Sequence, residues 1–413
     1  MKNSKTKVLL SHPTGNANVR GILTGLHKHD MLHSFHTCIA CFEGSMLDKL
    51  ASFPPFKDFR KRRFSTDICY KTTTYPFMEM GRMFSQKFKL NHCLTHEKGC
   101  FCIDKVYRQF DKQVSKYLVQ QHNISAVYCY EDGALETFKQ AKKTGVKCIY
   151  DLPTGYWKAA RDILCEDLEK YPLWKDTFTG FKDSEEKLMR KDMELQHSDM
   201  IYVASRFTAN SIKKYAGTLP AVQIIPYGFP PANEPKLLPD RKKIKFLFVG
   251  KLSQQKGIAD VFEALRGLEK YVELTLIGSK SNSKILEQEL RNHNYIGTLP
   301  HNQVLSVMRE HDVLLFPSLF DGFGMVMTEA MSQGTPVIAS ERSAGPDIIE
   351  HGKNGWLMQA GSVMSLRENI ENILSSPQII ESVGFQAIQT AKQRPWSQYG
   401  LEMAKSIQQF LNN

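Results

Sequence analysis

The chain has 413 residues, 42% of them hydrophobic and 23% charged, with a formal net charge of +11. That length favours two cores over one, and that balance belongs to a folded globular protein rather than a disordered or fibrous one. No apolar run approaches the ~18 residues that span a bilayer, and an odd number of cysteines without regular spacing argues for reduced thiols, so the expected location is cytoplasmic.

In chain order, residues 7–11 read as a short buried strand. Lysines stand at 2, 5 and 7, but only Val8, Leu9 and Leu10 follow before polar residues resume, which is not a signal-peptide pattern. The strand runs into a loop, His12-Pro13-Thr14-Gly15-Asn16-Ala17-Asn18, followed by Arg20. The positive charge is uneven: residues 1–120 carry 20 Lys and Arg against 9 Asp and Glu, whereas the remainder carries 34 of each. Its densest run is Lys57, Arg60, Lys61, Arg62 and Arg63. Beyond it Phe77, Met80, Phe84 and Phe88 recur at helical spacing among Arg82, Lys87 and Lys89. Such a basic, amphipathic surface suits anionic lipid headgroups or an anionic acceptor; a solvated face over a core stripe is the alternative. No recognition motif accompanies the charge, so nucleic acid is not expected as a partner. His92, Cys93, His96, Cys100 and Cys102 lie close together, but their spacing matches no standard zinc pattern, and no metal site is expected.

Ile103, Val106, Tyr107, Phe110, Val114 and Leu118 mark a helix. Strands follow at 125–130, 147–151, 199–205 and 222–225, with a helix at 134–143. The strand ending at Asp151 leads into Leu152-Pro153-Thr154-Gly155-Tyr156-Trp157. Residues 226–240 contain five prolines and read as a linker. The alternation then resumes, with strands Ile244–Val249, Val272–Ile277, Val313–Phe316 and 336–339, and a helix at 365–374. Short buried strands separated by helices predict parallel sheets and two doubly wound α/β domains facing across a cleft. Ligands of such sheets lie beyond the carboxyl ends of the strands.

The most informative stretch begins at Phe316. Asp321 precedes Glu329 by eight positions, with Gly322-Phe323-Gly324 between them. The pattern is a loop entering a helix. Glycines admit a close backbone approach, and the free N–H groups of a helix start receive anions. Carboxylates flanking that start accept hydrogen bonds from hydroxyls, a combination that suits a nucleotide-sugar. Upstream, Lys251 and Lys256 flank the loop after Ile244–Val249 and would grip a departing diphosphate. Either carboxylate alone is explained by capping or solvent exposure. A second Gly/Pro-rich loop, Ser343-Ala344-Gly345-Pro346-Asp347, is not.

These segments, from 249–257 through 315–329, 334–339, 345–350 and 354–357, resemble those of retaining glycosyltransferases of family 4. The resemblance is close over about 240–360 and weaker elsewhere. It implies the GT-B fold of two Rossmann-like domains: a first domain at 1–228, a linker at 229–240, a nucleotide-sugar domain at 241–394, and a last helix at about 395–413 packing back on the first. The family signature pairs two glutamates around Gly-Phe-Gly; here Asp321 holds the first place and Glu329 the second. The resemblance implies that Glu329 meets ribose hydroxyls, that Asp321 meets the transferred sugar, and that Gly322, Phe323 and Gly324 border it. Lys251 and Lys256 would hold the diphosphate, with Gly15 near it. Lys251 stands where the family usually has arginine, which keeps the charge but not the bidentate fork. Asn16, Arg20 and Tyr156 are expected on the acceptor side, and Asp151 is a candidate polar catalytic group there. The implied reaction is metal-independent transfer of a hexose to a glycan or lipid-linked acceptor, with the nucleotide-sugar as co-substrate and no other cofactor. A nucleotide-sugar epimerase of related fold and a non-catalytic nucleotide-sugar-binding protein are the alternatives.

Overall fold

The computed structural model describes residues 6–178, 181–237 and 242–413. Two parallel sheets organise it. The first contains β1 (Val8–Ser11), β2 (Leu32–Thr37), β3 (Thr72–Thr74), β4 (Ala126–Tyr130), β5 (Lys147–Leu152), β6 (Met200–Val203) and β7 (Ala221–Ile224), in the order β3-β2-β1-β4-β5-β6-β7. The second contains β8 (Ile244–Val249), β9 (Val272–Ile277), β10 (Asn294–Gly297), β11 (Val313–Phe316), β12 (Val337–Ser340) and β13 (Trp356–Met358), in the order β10-β9-β8-β11-β12-β13. Central strands such as β1, β11 and β12 are buried on both faces, because helices cover each sheet on both sides. Their apolar sequences are therefore continuous rather than alternating.

The strand order reverses between β1 and β4 in the first sheet and between β8 and β11 in the second. At each reversal the crossovers leave in opposite directions and open a crevice at the carboxyl ends. The loops that leave β1, β4, β8 and β11 bound the interdomain cleft.

β2 was not expected, because His33, Ser34 and His36 interrupt its apolar pattern. The buried polar groups satisfy one another: Ser34 Oγ lies 3.1 Å from His36 Nε2, and His36 Nδ1 lies 3.1 Å from the Tyr75 hydroxyl. The proline-rich linker is anchored rather than free. Phe229 N–H donates to the Arg394 carbonyl (2.8 Å) and Asn233 N–H to the Ser332 carbonyl (2.8 Å); residues 238–240 of the expected linker lie outside the described residues.

The two domains exchange core. Leu164, Trp174 and Phe178, from a segment placed by sequence in the first domain, pack in the apolar cluster of β8, β9 and the helix Ile258–Leu265. In return the last helix, Trp396–Asn412, lies on the helix Ala17–Lys28, with Tyr399, Met403 and Ile407 in one cluster with Ile22 and Leu26. No helix among the described residues is long and apolar enough to cross a membrane.

Candidate functional site

All four loops at the strand-order reversals reach one interdomain cavity of about 310 Å³. Asn16 and Asn18 come from the loop and helix start after β1, and Tyr130 ends β4. Gly250 and Lys256 follow β8; Asp321, Phe323 and Gly324 follow β11. At its centre the Lys256 ammonium contacts Asp321 Oδ2. The other carboxylate oxygen accepts the Phe323 N–H at 3.1 Å, closing a tight turn that fixes the Asp321 side chain. The pair keeps partial access to solvent, with side chains 27% and 18% exposed, so a ligand can compete for either member.

Gly324 caps the helix Met325–Ser332 with φ +86°, a conformation that glycine adopts without strain. No side chain caps that helix start, and Gly324, Met325 and Val326 line the cavity beside Lys256. An ammonium and a helix mouth therefore face the same space, which suits a diphosphate. Gly322 serves another purpose than close approach to a ligand. A Cβ there would stand 2.0 Å from the Pro153 carbonyl oxygen of the first domain. Its own carbonyl accepts the Ser205 hydroxyl (2.6 Å) and the Thr208 hydroxyl (3.1 Å). Gly322 is thus a domain–domain contact. Phe323 is buried against Tyr227, ring centroids 4.7 Å apart, and both border the cavity.

A second, larger cavity of about 1310 Å³ adjoins the first, sharing Asn16 and Met325. Glu329 lines its second-domain wall, and Glu329 Oε1 lies 2.9 Å from His301 Nε2. The carboxylate raises the His301 pKa above its ordinary value. Gly15, Arg20 and the run from Arg60 to Arg63 line the opposite wall. Arg20 donates from Nε to the Arg63 carbonyl (3.2 Å) and from a terminal nitrogen to the Lys61 carbonyl (2.8 Å), tying the β1 loop to the basic run.

Of the residues singled out from sequence, Lys256, Asp321, Gly324 and Asn16 thus meet in the first cavity. Glu329, Gly15 and Arg20 border the second. Lys251 lines neither; it stands exposed after β8, where burial of its stem and the Lys182 charge lower its pKa. Asp151 does not reach either cavity. It lies inside β5, 3% exposed, where its Oδ2 accepts the Tyr128 hydroxyl at 2.8 Å. Burial pushes its carboxyl up to about 7. Tyr156 is also interior, 3% exposed, with its hydroxyl donating to Asp192 Oδ1 at 2.9 Å. Its neighbour Trp157 donates to the same oxygen at 2.7 Å, which fixes both rings and leaves Tyr156 no free face for a sugar.

Tyr130, Tyr227 and His301 were not singled out from sequence. Tyr130 could have been found, since it closes a strand beside the β1/β4 reversal. Tyr227 and His301 sit next to prolines at element edges and carry no periodic signal.

In the cysteine-rich run the Cys93 and Cys100 side chains are hydrogen-bonded to each other. Cys93 Sγ lies 3.2 Å from His92 Nε2, and Cys102 is buried at a helix start. Among the described residues the one grouping with metal-ligand geometry is His96, Glu97 and Asp183. Lys187 (3.0 Å) and Lys191 (3.9 Å) already neutralise Asp183, which leaves little charge for a cation.

Comparison with known proteins bears on this arrangement. Residues 231–390 match the family model of glycosyl transferases group 1. The amylovoran biosynthesis glycosyltransferase AmsK of Erwinia amylovora is 30% identical over 138 residues, which are 30% of this chain and 34% of that protein. Matches to the first curated relatives span only 33% to 47% of their own lengths. The sucrose-phosphate synthase of Thermosynechococcus elongatus superposes with a TM-score of 0.61 at 16% identity, covering 98% of this chain and 99% of that one. HepE of Anabaena, solved in complex with UDP and glucose, superposes with a TM-score of 0.59 at 16% identity, covering 98% and 100%. The architecture is therefore GT-B, and its second domain, over residues 231–390, is similar to glycosyl transferases group 1.

Proposed function

We propose that the chain is a glycosyltransferase that moves a hexose from a nucleotide-diphosphate sugar to a hydroxyl of a glycan or glycolipid acceptor, with retention of anomeric configuration. The observation that carries this reading is the Lys256–Asp321 contact at an uncapped helix start, inside a cavity bounded by both strand-order reversals. When a donor enters, Lys256 exchanges its carboxylate partner for a diphosphate oxygen. Asp321 then accepts hydrogen bonds from the hydroxyls of the transferred sugar. Lys251, exposed after β8 and outside both cavities, has to swing inward to reach the diphosphate, and Glu329 accepts from ribose hydroxyls. As the bond from the anomeric carbon to the diphosphate breaks, the acceptor oxygen bonds to that carbon on the same face, and a departing phosphate oxygen takes its proton. Lys256 and the helix N–H groups stabilise the charge left on the diphosphate. The protein's work is positioning and electrostatics, without a protein base.

The names of the relatives agree with this chemistry: AmsK is a biosynthetic glycosyltransferase, and HepE was solved with UDP and glucose. We read the reaction as metal-independent because the Lys256 ammonium can supply the positive charge that a divalent ion would otherwise bring to the phosphate. The first domain further suits peripheral attachment to an anionic membrane face, since Phe77, Phe84 and Phe88 are exposed in the same basic segment. The protein incubated with single nucleotide-sugars and a glycan panel, in EDTA, should release the nucleoside diphosphate and give a product whose NMR coupling constants match the donor's anomer. No turnover with any donor, or an inverted product, would end the reading. Equal binding to neutral and anionic vesicles at low salt would end the membrane part.

A further inference from the structure

The larger cavity carries more positive charge than its own carboxylates neutralise. On its first-domain wall, Glu79 is buried between Arg62 (2.7 Å) and Arg82 (2.6 Å), two guanidinium groups on one carboxylate. Arg63 is matched by Asp48, and Lys61 by Asp58 at 2.7 Å. Arg20 and Arg60 are held by neutral oxygens instead. Arg20 donates to two backbone carbonyls, and Arg60 to the Ser52 hydroxyl at 3.1 Å. Carbonyls orient a guanidinium but do not cancel its charge. Burial and the nearby Arg62 push the Arg20 pKa down, so an anion placed there would relieve both. On the facing wall, Glu329 is already engaged by His301.

The proposed donor reaches this cavity only at Glu329 on the second-domain wall, where its ribose sits, so the surplus on the facing wall is left without a use in holding it. The diphosphate seat described above lies in the adjoining cavity, at Lys256 and the helix start. The groove is concave, lies between the domains and measures about 1310 Å³, more than the roughly 300–1,000 Å³ of a site for one small ligand. A flat lipid surface does not enter such a space, whereas a chain of sugars does. Resting on the transferase reading, we infer that the acceptor is an acidic saccharide. Its phosphate or carboxylate group sits against Arg20 and Arg60, and its reacting hydroxyl passes Asn16 and Met325 toward Lys256 and Asp321. Specificity for the acceptor then comes from charge matching at the groove rather than from hydroxyl contacts alone.

Calorimetric titration of the full chain at low salt tests this with four probes: tetragalacturonate, glucose 6-phosphate, maltotetraose and UDP. At least one acidic probe should bind at least about tenfold more tightly than neutral maltotetraose and weaken as salt is added. The ranking of the first two separates a carboxylate from a phosphate. Arg60→Gln changes an exposed side chain and should weaken the acidic probe at least about fivefold while moving UDP affinity by less than about twofold. Arg20→Lys, which keeps the charge but loses the fork, should weaken it as well and provides a second reading at the other anchor. Equal binding of acidic and neutral probes, or acidic binding that neither substitution changes, overturns the inference. A parallel loss of UDP affinity assigns the arginines to the donor and also overturns it. So does binding to phosphatidylglycerol vesicles without binding to either soluble acid. Failure of the unaltered chain to bind UDP or any other nucleoside diphosphate, with acid binding intact, sinks the transferase reading instead.

Discussion

The two walls of the cleft handle charge differently. On the second-domain wall each carboxylate has one basic partner: Asp321 has Lys256 and Glu329 has His301. Both pairs are exchangeable contacts that a ligand can open. On the first-domain wall arginines outnumber carboxylates, and backbone carbonyls or a buried glutamate hold them in place. In the proposed reaction one wall swaps partners, while the other presents a fixed positive field. A site that must release a charged product needs the first arrangement. Selection of an incoming anion needs only the second.

The largest expected effect breaks the exchangeable side. Lys256→Ala should lower kcat/KM by ~2–4 kcal/mol of transition-state stabilisation, measured as donor turnover, if the ammonium stabilises the departing diphosphate. A rate within twofold of the unaltered protein would leave the second-domain wall without its central charge. A buried carboxyl outside both walls gives the next effect. Asp151 has a raised folded pKa, so between about pH 4 and 7 the folded state binds more protons than the unfolded state, and stability falls as pH rises. Asp151→Asn keeps an acceptor for the Tyr128 hydroxyl and should flatten that decline by on the order of 2 kcal/mol, read from chemical unfolding at both pH values. An unchanged slope would show that Asp151 is not protonated in the fold.

Gly322→Ala sharpens the comparison from the interdomain side. A methyl group set against the Pro153 carbonyl should cost ~1–3 kcal/mol, seen as a lower Tm, with a larger fall in donor affinity than in any local unfolding signal. Full stability would mean that the loops part freely. The smallest effect concerns His301, whose side chain is 64% exposed. Because its pKa is raised, its contribution is full below its unfolded pKa of about 6.5 and disappears as pH rises through the folded value. His301→Gln should change stability at pH 6 by no more than ~0.5 kcal/mol and at pH 9 not at all. A larger loss would make the pair structural rather than exchangeable.

The same contrast explains what was legible beforehand. The second-domain wall is built from two loops, each carried within about a dozen residues of its strand, so Lys256, Asp321 and Glu329 could be read from local pattern. Its strands Ile244–Val249, Val272–Ile277 and Val313–Phe316 were also placed to the residue. The first-domain wall draws on the β1 loop, the Arg60–Arg63 run and the helix Pro76–Lys87, which meet only through the fold. Its charge was visible in the composition, but its shape was not. Asp151 and Tyr156 were misplaced for a related reason: one lies near the end of β5 and the other follows it toward the cleft in sequence, yet Tyr128 and Asp192 draw their polar atoms inward. The helix Pro76–Lys87 divides its apolar residues, with Met80 and Met83 against the core while Phe77 and Phe84 face outward, a split that helical spacing alone does not resolve.

The reciprocal loan of side chains between the domains has a mechanical outcome. Trp174 and Phe178 from the first half of the chain complete the second hydrophobic interior, while Tyr399 and Met403 from its far end complete the first. Severing the polypeptide at the proline-rich junction would leave each portion short of its own filling. Neither should therefore melt or refold by itself, and heating should reveal a single transition. Any opening of the cleft that admits substrates has to carry these borrowed aromatics along as part of the moving body.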